Sequence, residues 1–245
     1  MLKSMLKKLP ILKNWLRKLD NSHDRVDFVN RELSSLSDGL SILDAGCGSQ
    51  MFKSACSHLV YKSQDFGQYV TDEKQMINGQ EKHTDEPSPL AYKYGKIDYV
   101  SNIWEIAESD EVFDAILCTE VFEHIPYPIE TIQEFSRLLK KKGRLILTAP
   151  SNCLRHMDPY FFYSGFSDRW FEEILTKHGF KILHINPVGD YYSWLGVEMA
   201  RTAMAHSILA KIILFPSFVY YFSKKKTTLS VDTLCMGYHV VAEKI

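Results

Sequence analysis

No apolar run in this sequence approaches the roughly 20 uninterrupted residues that a helix needs to cross a bilayer, and lysines break each apolar stretch near the start. Neither a transmembrane helix nor a secretory signal is expected. Paired cysteines are missing too. Cys47, Cys56, Cys118, Cys153 and Cys235 are scattered, odd in number and without Cys-x-x-Cys spacing. That argues against a disulfide framework or a zinc site and favours a reducing cytoplasm. A surplus of one charge is also lacking. Net charge is −1, so the whole molecule is no polyanion binder and no nucleic-acid partner is expected. What is there is 45% hydrophobic and 24% charged residues in a chain of 245. This is the make-up of a soluble α/β domain with insertions, or of two small domains.

The most informative stretch is Ser41-Ile42-Leu43-Asp44-Ala45-Gly46-Cys47-Gly48-Ser49. An apolar strand ends in an acid, then turns through two glycines spaced one apart. Glycine tolerates positive φ and has no Cβ, so such a turn bends sharply and lies close against a ligand. Phe52 to Leu59 reads as the following helix and Val60 to Asp65 as the second strand. Asp65 stands about twenty residues after the turn, where nucleotide-binding α/β folds place the acid that holds ribose hydroxyls. A third glycine is absent: Met51 occupies its position. That counts against an NAD-dependent oxidoreductase.

Residues 67–96 form a polar insertion, either a lid or an ordered addition. Ile97 to Ile103 reads as a third strand, and Asn102 at its end contacts adenine or caps a turn. Phe113 to Thr119 is an apolar run suited to a fully buried parallel strand, leading into Glu120-Val121-Phe122-Glu123-His124. An amphipathic helix is expected at Ile129 to Leu139, with Lys140, Lys141 and Lys142 complementing its C-terminus. Gly143 would stop it before a fifth strand at Arg144 to Ala149. After that come His156, Tyr160, Phe161, Phe162, Tyr163 and Phe166, then a helix from Asp168 to His178 and a sixth strand at Lys181 to Ile185.

Both ends of the chain carry basic, apolar segments. In residues 1–20 the leucines share one helical face, while six cations oppose Asp20 alone. Residues 200–222 are strongly apolar, interrupted by Lys211 and Pro216 and followed by Lys224-Lys225-Lys226. Each reads as packing against the domain or as contact with a membrane surface. The second also reads as a dimer interface or a substrate cap.

Taken together, three blocks resemble a class I S-adenosylmethionine (SAM)-dependent methyltransferase of the broad type 11 group. They are Leu43–Gly48, Phe113–Ile125 and Leu138–Ile146, followed by His156 with Pro159, Gly179-Phe180 and a last strand at Gly237–Ala242. The resemblance implies a Rossmann-like doubly wound α/β fold. Its seven-stranded, mostly parallel sheet would have order 3-2-1-4-5-7-6, with the last strand antiparallel and helices on both faces. Residues 1–38 would be a basic helical extension and 39–245 the methyltransferase domain, with insertions at 67–96 and 190–230. It further implies SAM as cofactor and S-adenosylhomocysteine (SAH) as product. The cofactor would be held by Asp44, Ala45, Gly46, Cys47, Gly48, Asp65, Phe66, Asn102, Ile103, Thr119 and Glu120. The family often has Asp where this chain has Asn102.

A sulfonium methyl is already activated, so alignment supplies much of the acceleration. A hydroxyl or ammonium acceptor must still lose a proton, for which His156 and His124 are candidate bases. Tyr160, Tyr163 and Tyr191 are candidate substrate contacts. Glu120 and His124 sit four apart, but no further ligands for a metal are apparent, so none is assigned. The expected function is methyl transfer to an oxygen, nitrogen or carbon acceptor on a small molecule or a glycan or lipid precursor. The expected place is the cytoplasm, with membrane contact through 1–20 or 207–226 and a homodimer both open. The alternatives are a non-catalytic Rossmann-like binding protein at a membrane surface and, less well supported, the NAD enzyme.

Overall fold

The computed structural model describes residues 22–68, 75–77, 80–82 and 95–245, the backbone alone at 75–77, 80–82 and 204–205. The amphipathic segment 1–20 and most of the insertion 67–96 lie outside these residues. Two compact units divide the rest: residues 28–186 with 238–245, and residues 22–27 with 187–237.

The larger unit is built on seven strands. They are β1 (Ser41–Ala45), β2 (Val60–Asp65), β5 (Tyr99–Val100), β6 (Phe113–Thr119), β7 (Leu139–Pro150), β8 (Phe180–Val188) and β9 (Gly237–Lys244). A separate two-stranded ribbon pairs β3 (Gln75–Ile77) with β4 (Gln80–Lys82). The large sheet runs β5-β2-β1-β6-β7-β9-β8, which is the expected 3-2-1-4-5-7-6. Four of its pairings, β1 with β2 and β6, β2 with β5, and β6 with β7, are parallel. In such a sheet the strand order reverses beside β1, and ligands bind outside the carboxyl ends of the strands there.

The core follows from the apolar spacing. β6 is buried from Ala115 to Cys118 because both its faces are covered. Helix α1 (Ser22–Ser34) buries Phe28, Val29 and Leu33, and the Phe28 ring stacks on His239 with centroids 4.4 Å apart. Helix α2 (Pro128–Leu138) opens on a proline, whose missing N–H costs nothing in the first turn, and buries Ile132, Phe135 and Leu138. Helix α3 (Asp168–Lys177) is capped by Ser167, whose hydroxyl accepts the Trp170 N–H at 3.1 Å.

Three expectations are corrected. Residues 52–59 make no α-helix. They form successive tight turns in which Lys53, Ala55, Ser57 and Leu59 donate to carbonyls three residues back. Gln50 sits at φ 59° and turns its side-chain amide to Ser63 and the Lys96 carbonyl, so a regular first turn never nucleates. The third strand is only Tyr99–Val100, and Asn102 follows it. Gly143 does not stop α2: Leu139 is already extended at ψ 139°. The lysines after it lie in β7, where Lys140 pairs with Asp114 at 2.8 Å rather than with a helix end.

The smaller unit contains α4 (Tyr191–Ala205), α5 (Ile208–Ser223) and α6 (Thr228–Thr233). Its buried clasp is Asp190, which caps α4 by accepting from Ser193 N–H and also accepts from the Ser230 hydroxyl at 2.8 Å. The apolar stretch thus forms two helices, parted at His206-Ser207, with Pro216 inside the second.

Candidate active site

The glycine turn after β1 is held by the end of β2. The Gln64 carbonyl accepts Cys47 N–H at 2.9 Å, and its side-chain Oε1 accepts Gly46 N–H at 3.1 Å. The Gln64 amide reaches the other way, donating to the Ser101 carbonyl at 2.7 Å. Gly46 has φ 70°, and a Cβ there would stand 2.5 Å from Val121 Cγ2, so glycine is required on two counts.

Asp65 ends β2 and is 6% exposed. One carboxylate oxygen accepts Gly48 N–H at 2.9 Å and the other accepts Gly67 N–H at 3.0 Å. An ionised carboxylate has about four acceptor positions, so two backbone bonds fix it while leaving room for a pair of hydroxyls. Asp44 is turned the other way: its Oδ2 accepts the Tyr61 hydroxyl at 2.6 Å. Burial raises its pKa to about 6, against the lowering effect of Tyr61. Burial and the same acids push the Cys47 thiol well up, so it stays protonated and is no nucleophile.

These residues open on a cavity of about 240 Å³. Gly46, Gly48, Gln64, Asp65, Phe66, Asn102 and Ile103 line its β1–β2 side, and Glu120, Val121, His124, Met157, Tyr160 and Phe162 the other. Trp104, which meets Tyr127 edge-on, also lines it. Asp44, Ala45, Cys47 and Thr119 are not among the lining residues. Glu120 adopts φ 51°, a sparsely allowed conformation for a residue with a Cβ, and its carboxylate accepts the Thr148 hydroxyl at 2.9 Å.

Opposite the glycine turn, the loop after β7 folds back onto the short 3-10 turn Phe122–His124. The N–H groups of Phe162 and Tyr163 both donate to the Glu123 carbonyl, at 2.9 and 3.2 Å. His124 Nδ1 lies 2.6 Å from the Tyr160 carbonyl. His156 Nδ1 lies 2.8 Å from that of Leu154, and the two rings meet edge-on with centroids 4.7 Å apart. Burial pushes the pKa of His124 down to about 4, with His156 lowering it further and the Tyr160 carbonyl acting the other way. Tyr160 packs on Phe66. Tyr163 donates to the Pro126 carbonyl at 3.2 Å, and Tyr191 opens α4 in the smaller unit beside Tyr192. Phe166 is buried against Phe122 and Trp170, so the aromatic loop divides between cavity wall and core.

Sequence reasoning missed Gln64, Trp104 and Met157. A glutamine at the end of the second strand carried a signal in its position, next to Asp65; the other two carried none. Sequence reasoning also set His124 beside Glu120 and found no further metal ligand, whereas Glu120 is not in the cluster that the fold forms. The fold supplies two other companions, since Glu123, His124 and His156 each present a ligand-type atom within 4.8 Å of the others.

A sheet of this order, with a two-glycine turn after its first strand and an acid ending its second, defines the class I SAM-dependent methyltransferase fold. The chain belongs to the methyltransferase domain family, whose model matches residues 17–185. Among curated proteins it is 30% identical over 133 residues to the ubiquinone biosynthesis O-methyltransferase of Actinobacillus pleuropneumoniae serotype 7, covering 54% of each chain. It is also 30% identical over 136 residues to the mitochondrial one of Schizosaccharomyces pombe, covering 53% of this chain and 46% of that one. The chain spans about half the length of these relatives. Among solved structures, geranyl diphosphate methyltransferase superposes with a TM-score of 0.55 at 13% identity, covering 91% of this chain and 77% of that one. The cyclase SpnF does so with 0.52 at 20%, covering 90% and 80%. At these identities the structural likeness speaks for the fold.

Proposed function

We propose that this chain transfers a methyl group from SAM to an oxygen or nitrogen on a small-molecule, glycan or lipid-precursor acceptor. The observation that carries this is the cavity itself. It joins a glycine turn and a pre-set ribose carboxylate on one side to an imidazole-bearing wall on the other. In the step, an acceptor lone pair forms a bond to the methyl carbon, the carbon–sulfur bond breaks, and its electron pair returns to sulfur. The acceptor's proton is managed on the side where His124 and His156 stand. Gly46, Gly48, Asp65 and Asn102 hold the cofactor, and Tyr160 lies against the acceptor. The test is labelled-methyl incorporation across a panel of phenolic, sugar and lipid-linked acceptors, beside calorimetry with SAH and NAD. Binding of NAD but not SAH would reject the reading. Binding of SAH with no acceptor labelled would favour the binding-protein alternative.

A membrane-presented acceptor is supported by α5. Ile208, Leu209, Ile212, Ile213 and Phe215 on this helix are each more than 60% exposed. They form one broad face, with Lys211 beside it and Lys224, Lys225 and Lys226 beyond its end. Apolar surface ringed by cations matches an anionic bilayer surface, and no helix among the described residues is long and apolar enough to span one. Co-sedimentation with phosphatidylglycerol vesicles should be lost in the double variant Ile212→Glu, Ile213→Glu. Equal recovery of both proteins with vesicles would remove this surface from the account.

A further inference from the structure

The cluster of Glu123, His124 and His156 is built as ligand sites are. Each Nδ1 faces a backbone carbonyl. A carbonyl oxygen only accepts, so each Nδ1 carries the hydrogen and each Nε2 keeps its lone pair for something else. Proteins orient metal-binding imidazoles by this outer hydrogen bond. The Glu123 carboxylate, 3% exposed at its side chain, has Oε1 at 3.6 Å from His124 Nε2. That is long for a hydrogen bond, but two donors about 2.1 Å from a shared ion are themselves about 3.4 Å apart. His156 completes a set whose ligand atoms all fall within 4.8 Å, so a small rotation of its ring closes the site.

We propose that Glu123, His124 and His156 bind a divalent cation at the acceptor end of the cavity. Two imidazoles and a carboxylate suit a borderline ion of the zinc, manganese or iron class better than a hard ion that prefers oxygen alone. The competing explanation is an ordinary ion pair between Glu123 and a protonated His124. The geometry opposes it: Nε2 and Oε1 stand 3.6 Å apart, beyond the hydrogen-bond distance that a buried ion pair would adopt. With its Nδ1 tied to the Tyr160 carbonyl at 2.6 Å, His124 turns its other ring nitrogen toward the Glu123 carboxylate, as a ligand does. What the cation does rests on the methyl-transfer reading; that it binds does not. Three protein donors leave coordination positions open for the acceptor's oxygen. An oxygen on a divalent cation ionises far more readily than a free one. The proton passes to water, the oxygen attacks the methyl carbon, and sulfur keeps the carbon–sulfur pair.

The experiment uses the full chain stripped of metal and titrated with cobalt(II), read by its visible absorption and by calorimetry, with SAH binding measured in parallel. One equivalent of cobalt should bind, and His156→Ala and Glu123→Gln should each weaken it at least tenfold while SAH affinity holds. His156 lies in a half-buried loop and the glutamine is isosteric, so the judgement falls on whichever variant keeps SAH binding. No saturable cobalt binding, or binding indifferent to both changes, overturns the site. Cobalt binding without SAH binding would sink the methyltransferase reading and leave the metal site standing.

Discussion

At Gly46 two separate demands meet in one residue. Replacing it with alanine adds a Cβ 2.5 Å from Val121 Cγ2 at φ 70°, combining overpacking with backbone strain of about 1–3 kcal/mol each. Gly46→Ala should therefore weaken SAH binding at least tenfold by calorimetry. Adding Val121→Ala should recover the steric part and leave the strain. His124 gives a second test. Its folded pKa of about 4 lies below the ordinary 6.5, so between those values the unfolded chain binds the extra proton. Stability from this group is whole above pH 6.5 and falls as pH drops toward 4. Asp44, raised to about 6 from 3.8, acts with the opposite sign: its contribution falls as pH rises from about 4 to 6. Urea melts across pH 4 to 7 should show a steeper acid loss in wild type than in His124→Gln; parallel curves would remove His124 as the cause.

Among the elements, Asp114 on β6 joins three strands. Its Oδ2 accepts the Ser41 N–H and hydroxyl on β1, and Oδ1 accepts Lys140 on β7. Burial would raise its pKa, but Lys140 and Ser41 together hold it below the usual range. That stability is present above about pH 4 and is lost as pH falls through the depressed value. Asp114→Asn should cost about 1–3 kcal/mol in urea melts at pH 7, with a smaller penalty in acid. The strand that bears it was plain in the sequence, because the unbroken apolar run Ala115 to Cys118, with no glycine or proline around it from Phe113 to Thr119, fits a buried strand. The start of β7 was not: Lys140 to Gly143 reads as a helix end by composition, whereas the pairing with β6 begins at Leu139, skips these residues and resumes at Arg144. The turns at 52–59 were hidden likewise, since the left-handed Gln50 that disrupts the helix is set by contacts to Ser63 and Lys96. For the site, Gly46, Gly48 and Asp65 were legible because backbone geometry dictates them at short range. The meeting of Glu123 and His124 with His156 was not, because it depends on how the loop after β7 folds back.

For the whole molecule, the fold predicts ligand linkage. SAH at 100 times its dissociation constant should raise unfolding stability by about 2.7 kcal/mol, seen as an upward shift in melting temperature, while NAD at the same concentration should leave it unmoved. Equal shifts with both would point away from the methyltransferase class.

Asp65 has a further consequence. Its two oxygens are already pinned by Gly48 and Gly67, so, on the proposed reading that Asp65 holds the ribose, the carboxylate needs no ordering when the cofactor arrives. Preorganisation of this kind lowers the entropic penalty of association. On that reading the heat of cofactor binding should report bonds formed at Asp65 rather than a chain rearranged.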